Sequence, residues 1–302
     1  MLKTIMPVAF AASLVTSVAA QTLTKAGSGL DTARIEQLTG AKGKLDEKEG
    51  AFKVSVPRSD LAVSAAGVRL TPPLGLTSWA SFLRAGNRAM VMGDLVLLET
   101  EINPVMAKLI EGGVEITAVH NHLLRANPET FYMHIGGHGD PVKMAEVIRS
   151  ALALSKTPFN PPAAAATPSP AIDLDTAQLD QIIGGKGTVN GGVYQFNVPR
   201  RDSITESGMA VPAAMGSANA INFQPTGGGK AAITGDFVIT GDEVNPLIKT
   251  LRTNGIEVTA IHSHMLTEQP RVFFVHFWAN DDALKLAKGL RAALEKTAVA
   301  KS

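Results

Sequence analysis

An internal repeat constrains this chain more than any other feature of its sequence. The segment Leu30–Ala33 recurs at Leu174–Ala177, and Val-Pro-Arg-x-Asp at 56–60 recurs at 198–202. From Gly93 to His134 the second copy follows at a constant offset of 142, and 17 of the 42 compared positions are identical. Such self-similarity indicates a duplication, so the two copies must fold into the same unit.

The chain has 302 residues, a length that suits two domains. The copies are separated by 157–171, a stretch of prolines and alanines that is typical of a semi-rigid extended linker. We therefore predict one repeat domain over 27–156 and a second over 172–302.

The N-terminus has the composition of an export signal. One lysine, a short apolar run at Val8–Val15 and small residues before Gln21 predict a signal peptide over 1–20 with cleavage after Ala20. This run is shorter than a membrane span, and no later segment is long and apolar enough to cross a bilayer. We expect a periplasmic or secreted protein without a membrane anchor.

Composition removes several classes of function. Lys plus Arg number 28 and Asp plus Glu number 27, so the chain lacks the basic surface that nucleic-acid binding requires. There is no cysteine, which excludes disulfides, thiolate metal sites, cysteine nucleophiles and lipidation of a cysteine. Any metal must be held by histidine, carboxylate or backbone oxygen.

The first half of each copy predicts a helix followed by strands. In the first copy a short helix is capped by Asp31 and closed by Gly40, and strands follow at Phe52–Val56 and near Trp79–Leu83. The second copy repeats the pattern with Asp175, Tyr194–Val198 and Ala220–Gln224.

The second half of each copy is more regular. It predicts a strand at Gly93–Leu98, a helix opened by Asn103-Pro104, strands at Val114–Leu124 and Phe131–Ile135, and an amphipathic helix at Pro141–Leu154. This β-α-β-β-α order is most of a ferredoxin-like unit. The predicted fold class is α+β, a tandem duplication of that unit with an extra N-terminal helix and strands.

Histidines are the most informative residues. Of the seven in the chain, all but His138 occupy matched positions, at His120, His122, His134, His262, His264 and His276. Residues two apart on a strand point to the same face, so each His-x-His pair projects together. With a loop centred near Pro128, position 122 lies opposite position 134, and three imidazoles can then reach one metal ion. A shared apolar stripe through Val114 and Ile116 would face a helix or the other domain.

Zinc or copper suits such imidazole ligands best. Two other interpretations remain open from the residues alone: an inert seam of buried neutral histidines, and metal-free acid–base catalysis. Glu101 and Glu243, just before each Asn-Pro, are candidate catalytic bases, ligands or orienting groups, although acids near a helix N-terminus more often only pair with its dipole. For Arg58 and Arg200, pairing with the aspartate two positions on is favoured over binding an anion.

The repeated motifs resemble a known family. Gly-Asp, Glu-x-Asn-Pro, Glu-x-Thr-Ala-x-His-x-His and a downstream Phe-x-x-His, present twice, are similar to the LppY/LpqO family of bacterial envelope proteins. The resemblance covers nearly all of the chain after the signal peptide. It implies an exported location and a domain of unknown function, and it implies no activity. Lipoprotein members carry a lipobox cysteine, which this chain lacks.

Three functions compete at this stage. The first is an exported metal-binding protein, with one site per copy or a site shared between copies. The second is a metal-dependent hydrolase with a three-histidine zinc and an open fourth position. The third is a non-catalytic module that binds a small molecule, a protein or another envelope component. The sequence leaves open the metal, the substrate, the oligomeric state (a homo-oligomer included) and whether both copies are active.

Overall fold

A computed structural model describes residues 29–159 and 171–300, so the predicted signal peptide and most of the linker lie outside the described residues. The elements of the first copy are α1 (Thr32–Thr39), β1 (Gly43–Leu45), β2 (Ala51–Pro57), β3 (Ser64–Ala65), β4 (Val68–Arg69), β5 (Thr77–Ala85), β6 (Arg88–Leu97), α2 (Glu99–Glu111), β7 (Glu115–His120), β8 (Ala126–Asn127), β9 (Phe131–Gly139) and α3 (Pro141–Leu152).

The second copy repeats this order. Its elements are α4 (Thr176–Ile183), β10 (Thr188–Asn190), β11 (Val193–Pro199), β12 (Thr205–Glu206), β13 (Met209–Ala210), a short 3₁₀ helix (Ala213–Met215), β14 (Ala218–Gly227), β15 (Lys230–Thr240), α5 (Gly241–Thr253), β16 (Glu257–His262), β17 (Val272–Asp282) and α6 (Ala283–Leu294). In the described ranges, none of these helices is long and apolar enough to cross a membrane.

Each copy is built on a six-stranded antiparallel sheet. The strand orders are β1-β2-β5-β6-β9-β7 and β10-β11-β14-β15-β17-β16, so the two sheets have the same topology. Strand β9 lies between β6 and β7 and is antiparallel to both. Strands β6 and β7 therefore run in the same direction on either side of β9. The mixed α+β class is confirmed. The other neighbour of β6 is β5, which precedes it in the chain. In a ferredoxin-like unit that position is taken by a strand from later in the chain, so the ferredoxin-like classification stays a prediction.

The helices cover one face of each sheet, and the other faces meet. Phe52 and Val54 of β2 pack into the core formed with the helices of the first copy. The alternate residues, Lys53 and Ser55, line a cavity between the two sheets. This alternation follows from the period of two along a strand. The result is four layers, with helices outside and the two sheets facing each other.

The segment between the second and third strands of each sheet reaches the other copy. From the first copy, Leu70 and Leu74 share a buried cluster with Val193 and Trp278 of the second. The second copy reciprocates, since Ile204, Val211 and Met215 are buried with Met90 and Met92 of the first. The two copies are therefore packed together through mixed cores.

The start of the long helix differs from the prediction. We expected Asn103 and Asn245 to cap it, but α2 begins at Glu99 and encloses Pro104, and α5 likewise encloses Pro246. Glu101 accepts a hydrogen bond from the Leu98 amide at 2.9 Å and thereby completes the first turn. The predicted caps at Asn103 and Asn245 were wrong. Those at Asp31 and Asp175 are confirmed, because each accepts a hydrogen bond from the amide three residues on.

Candidate metal centre

Neighbouring strands of each sheet bring a carboxylate against a histidine. Asp94 on β6 pairs directly with His134 on β9, and His134 also pairs with Ala118 on β7. In the second copy Asp236 on β15 pairs with His276 on β17 in the same way. Side chains of directly paired residues stand on the same face of the sheet, about 5 Å apart. The inner face of each sheet therefore presents a matched aspartate–histidine pair.

A bulge in β7 sets which side chains share that face. The register shifts between Ile116 and Ala118, so Ile116 pairs with Ile135 and packs toward the helices. The predicted stripe shared by the histidines with Val114 and Ile116 was therefore wrong. Ala118 and His120, beyond the bulge, point to the inner face. The side-chain hydroxyl of Thr117 at the bulge donates a hydrogen bond to the backbone oxygen of His264 at 2.7 Å.

The histidine strand is also shorter than predicted. Strand β7 ends at His120, which pairs with Tyr132, so His122 does not lie opposite His134. His122 instead follows the strand and stacks on Tyr132 with ring centroids 3.3 Å apart. In the second copy His264 stacks on Phe274 at 3.4 Å. An aromatic ring thus orients each of these imidazoles toward the space between the copies.

The structure brings all six predicted histidines together where the two copies meet. The rings of His120 and His262 stack across this junction at 3.6 Å between centroids. The Nε2 atoms of His120 and His276 are 3.3 Å apart. The remaining cross-copy neighbours are His134 with His264 and His122 with His276, each pair at 3.8 Å between centroids. The cluster belongs to both copies.

Many polar atoms of the cluster are buried without a partner. Among the described residues these include His120 Nδ1, His122 Nε2, His134 Nε2, both ring nitrogens of His262, His264 Nε2, and one oxygen of each aspartate, Asp94 and Asp236. Buried polar atoms are normally satisfied, and leaving one unpaired costs about 1–3 kcal/mol. So many at one place indicate a site built for a group that accepts their lone pairs.

Five of the clustered histidines are held in the neutral form by their environment. Loss of solvation, with repulsion from the neighbouring imidazoles as a smaller effect, lowers the pKa of His120, His122, His134, His262 and His264. Neutral imidazole is the form that binds metal, since its free nitrogen keeps a lone pair.

Two of the imidazoles have a fixed orientation. Nδ1 of His276 lies 2.7 Å from the carbonyl oxygen of Gly235, which can only accept, so this nitrogen carries the hydrogen. His134 makes the matching backbone hydrogen bond to Gly93. In His134 the other nitrogen, Nε2, is left with its lone pair toward the cluster, and in His276 the other nitrogen lies 3.3 Å from His120 Nε2. Such backbone hydrogen bonds are the usual supports of metal-binding histidines.

The carboxylates of Asp94 and Asp236 lie next to imidazoles of the cluster. Asp236 Oδ2 is 3.1 Å from His264 Nε2, and Asp94 Oδ2 is 3.6 Å from His122 Nε2. Burial, and for Asp94 also the charge of Asp236, raises the pKa of Asp94 to about 8; burial raises that of Asp236 to about 6. A positive charge placed among them would lower both pKa values again.

Four overlapping groups have ligand atoms close enough to hold a metal ion. Two combine histidines of both copies, and two combine an aspartate with two histidines of its own copy. They are His120, His134 and His262; His120, His122 and His276; Asp94, His122 and His134; and Asp236, His262 and His264. In each group these atoms lie within 4.8 Å of one another. Around one tetrahedral zinc they would be about 3.4 Å apart, so small rotations would close each group.

Among the described residues none of these groups is the predicted triad of a single copy. The structure instead adds Asp94 and Asp236, the aspartates of the repeated Gly-Asp motif, which were not predicted as ligands. Their signal was present, since each is an acidic residue inside an otherwise apolar strand and is matched in the repeat.

A cavity of about 460 Å³ leads from the cluster into the space between the sheets. Six of the eight clustered side chains line one part of it: Asp94, His122, His134, Asp236, His264 and His276. The rest of its wall combines polar residues of both sheets with Trp79 and with proline, alanine and glycine residues. The candidate metal centre is therefore open to a ligand of small-molecule size.

The structure does not bring Glu101 and Glu243 to the histidines. Glu101 Oε2 accepts a hydrogen bond from Arg58 Nη1 at 2.8 Å, and Glu243 is paired with Arg200 at 2.6 Å. Each glutamate also accepts a hydrogen bond from the chain that follows the last helix of its copy, from Lys156 N and Ala298 N respectively. Their selection as candidate catalytic residues is corrected accordingly, because these contacts give them a structural role.

Replacing Glu101 by glutamine should destabilise the protein without affecting the cluster. Arg58 is fully buried and is paired with both Glu101 and Asp60, so loss of one of these two charged partners should lower the free energy of unfolding by about 2 kcal/mol. Glu243→Gln should cost less, because the Glu243 side chain is 16% exposed against 7% for Glu101. Urea denaturation measures both effects. Loss of bound metal in a variant of unchanged stability would instead return these glutamates to the site.

Both copies match one known family. The model of a family described as Domain of Unknown Function (DUF1259) matches residues 33–154 and again residues 177–296. The chain belongs to this family. Each match covers one copy, so the DUF1259 domain is the duplicated unit. The LppY/LpqO resemblance remains a prediction beside it.

Other comparisons are uninformative about function. No curated protein matches the chain. A trimeric bacterial microcompartment shell protein, PduB, is 14% identical over 83% of this chain and 88% of its own, with a TM-score of 0.20. EtuB from Clostridium kluyveri is 8% identical over 85% and 90%, with a TM-score of 0.19. Such low TM-scores carry no argument about the fold or assembly of the DUF1259 chain.

Proposed function

We propose that this protein is an exported metalloprotein that holds a divalent transition metal between its two DUF1259 domains. One observation carries the proposal. Buried, unpartnered nitrogen and oxygen atoms of five histidines and two aspartates converge at one place, the junction of the two copies, where His276 joins them. Export rests on the signal-peptide pattern of residues 1–20.

An inert histidine seam is the main competing interpretation, and the hydrogen bonding speaks against it. In such a seam the ring nitrogens would satisfy one another, with a donor facing each acceptor. Here His262 has both ring nitrogens buried without a partner, and Nε2 of His134 has none either. A metal ion would accept these lone pairs together and remove the penalty of their burial.

The donor set defines the class of metal. Imidazole nitrogen with carboxylate oxygen, and no thiolate, suits zinc and copper, which are the metals expected from the sequence. The two groups of two histidines and one aspartate also match the donor set of non-haem iron sites. Iron is therefore included in the metal analysis below.

A metal-dependent hydrolase is the second candidate, and the cavity favours it. The aspartates and four of the histidines face a space that a substrate of moderate size would fill. A bound zinc ion with an open position would supply an activated water as nucleophile. Of the two aspartates, the one not occupied as a ligand would be placed to take up a proton. Glu101 and Glu243 are not available for this task, since both are bound to arginine.

The decisive experiment is elemental analysis of mature protein purified without an affinity tag. We expect near-stoichiometric zinc, copper or iron in the natural protein. The metal should disappear in a variant with His120, His122, His262 and His264 changed to alanine. His138→Ala is the matched control, because His138 is not part of any of the four candidate groups. It should keep the full metal content.

Either clear outcome is informative. Metal lost only in the quadruple variant supports the centre and justifies screening the loaded protein for hydrolase activity. No metal in the natural protein, even after incubation with zinc, copper and ferrous salts, would overturn the proposal and leave a histidine-lined binding cavity.

A further inference from the structure

The two copies line the cavity with different side chains, although each contributes the same histidines and aspartate to the cluster at its end. The repeat aligns Val56 with Val198, which places Lys53 of β2 opposite Gln195 of β11 as its counterpart. Both line the cavity. Gln195 is occupied by contacts with the protein, since its amide donates to the backbone oxygen of Pro73 at 3.0 Å. Lys53 is different, because its charged end has no such partner.

The ammonium group of Lys53 is held in place by an aromatic ring. Its Nζ lies 3.8 Å from the centroid of the Trp79 ring, a cation–π contact that orients a charge without neutralising it. The ion pairs formed by the described residues do not include Lys53. Burial lowers the pKa of Lys53 to about 8, so the group is still mostly protonated at neutral pH.

The charge balance of the cavity leaves Lys53 uncompensated. The two aspartates would be balanced by one divalent ion in the cluster. With the metal bound, the surplus charge facing the cavity is therefore that of Lys53, which is positive, and the ligand it attracts is an anion.

Apart from Lys53 and the cluster, the wall formed by the described residues carries no charged side chain and combines polar residues with prolines, alanines and glycines. Ser55, Thr77, Asn197, Asn222 and Thr234 all line the cavity. Hydroxyl and amide groups of this kind fix the orientation of a polar ligand through hydrogen bonds.

We propose that the cavity binds a small polar molecule carrying a carboxylate or phosphate group, with Lys53 holding the anionic group on the wall of the first copy. The neutral part of the ligand faces the amides of the second copy, so it enters in one orientation despite the duplicated fold. The inference rests on the proposed function in that a metal in the cluster would be the second anchor of the ligand.

Calorimetry with simple anions tests this inference. Acetate is titrated into zinc-loaded protein, with acetamide as its neutral counterpart, and inorganic phosphate is titrated into metal-free protein to avoid zinc phosphate. We expect both anions to bind at constant ionic strength and acetamide not to bind. Lys53→Gln, which gives the first copy the residue of the second, should weaken anion binding at least tenfold. Lys44→Gln, a change at an exposed strand position, should leave it unchanged.

The same preparations separate this inference from the proposed function. Elemental analysis reports the metal, and Lys53→Met, which keeps the apolar stem over Trp79, is the second variant if Lys53→Gln folds poorly. If the protein contains metal but its anion binding does not depend on Lys53, the inference is overturned and the proposed function stands. The same holds if acetamide binds as tightly as acetate. Phosphate binding that depends on Lys53 in a protein that takes up no metal overturns the proposed function and leaves the inference standing. The tighter of the two anions assigns the charged group of the ligand.

Discussion

Metal-free protein should lose stability steeply as the pH falls below about 6.5. In the folded protein the pKa of His120, His122, His134, His262 and His264 is lowered, chiefly by burial. In the unfolded chain the same residues titrate near pH 6.5. Below that pH the unfolded chain binds more protons than the folded one, so the free energy of unfolding decreases as the pH falls.

The two aspartates act in the opposite direction and limit the effect. Their raised pKa values, about 8 for Asp94 and about 6 for Asp236, mean that near pH 5 both hold protons that the unfolded chain would release. With five histidines acting in one direction and two aspartates in the other, the unfolded chain binds about three more protons than the folded protein near pH 5. Since each contributes about 1.4 kcal/mol per pH unit, the slope near pH 5 should approach 4 kcal/mol per pH unit.

Urea denaturation at pH 7.5, 6.5 and 5.5 with a chelator present measures this slope. Replacing His120 and His262, which stack across the junction, by glutamine removes two of the five groups and should flatten it by more than half. Protein loaded with zinc should keep its stability to lower pH, because bound imidazoles cannot take up protons until the metal leaves. An equal slope in the double variant would mean that the histidines are protonated in the folded protein.

Local sequence patterns predicted the repeat, the mixed α+β class and the order of the elements, because these depend on periodicity and caps close together in the chain. The start of α2 was missed for a non-local reason. Glu101 is fixed by Arg58, which lies 43 residues earlier, and no local signal reports that pair. Asn103-Pro104 has the local signature of a helix start, and the tertiary contact overrode it.

The histidine strand shows the same limit. Nothing in Ile116-Thr117-Ala118 marks a bulge, because every residue there suits a regular strand. The bulge is accompanied by contacts between the copies: the Thr117 hydroxyl donates to the backbone oxygen of His264, and Thr259 donates to that of His122 at 2.6 Å. Their docking was not predictable from one copy alone.

The candidate site was likewise predictable only in part. All six histidines could be selected from the sequence, because each has a counterpart in the other copy and His138 has none. Their grouping could not, because alternation along a strand assigns three histidines of one copy to one ion. The structure instead combines histidines of both copies in two groups, and an aspartate with two histidines of its own copy in the other two. Glu101 and Glu243 were favoured over Asp94 and Asp236 because position at a helix start was a visible local feature, whereas the pairing of Asp94 with His134 depends on strand register.

Gly235→Ala should be among the most damaging single substitutions in the chain. A Cβ at this position would lie 1.9 Å from the carbonyl oxygen of Ala220 and 2.8 Å from its carbonyl carbon, both backbone atoms of the neighbouring strand β14. Relief would require β14 and β15 to separate. We expect a loss of about 3 kcal/mol in the free energy of unfolding, measured by urea denaturation, because backbone cannot yield as a flexible side chain does.

The same substitution should reduce metal content, because Gly235 connects the strand contact to the cluster. Its carbonyl oxygen accepts the hydrogen bond from His276, and the next residue is Asp236. Gly93→Ala tests the matched position, with a milder approach of 2.6 Å to the Trp79 carbonyl oxygen, and should have a smaller effect on both readouts. Gly185→Ala, with no atom within 4 Å of the added carbon, is the control for replacing glycine itself. If Gly235→Ala were as stable as Gly185→Ala, the close approach of β14 and β15 would be wrong, and with it the position of Asp236 beside His276.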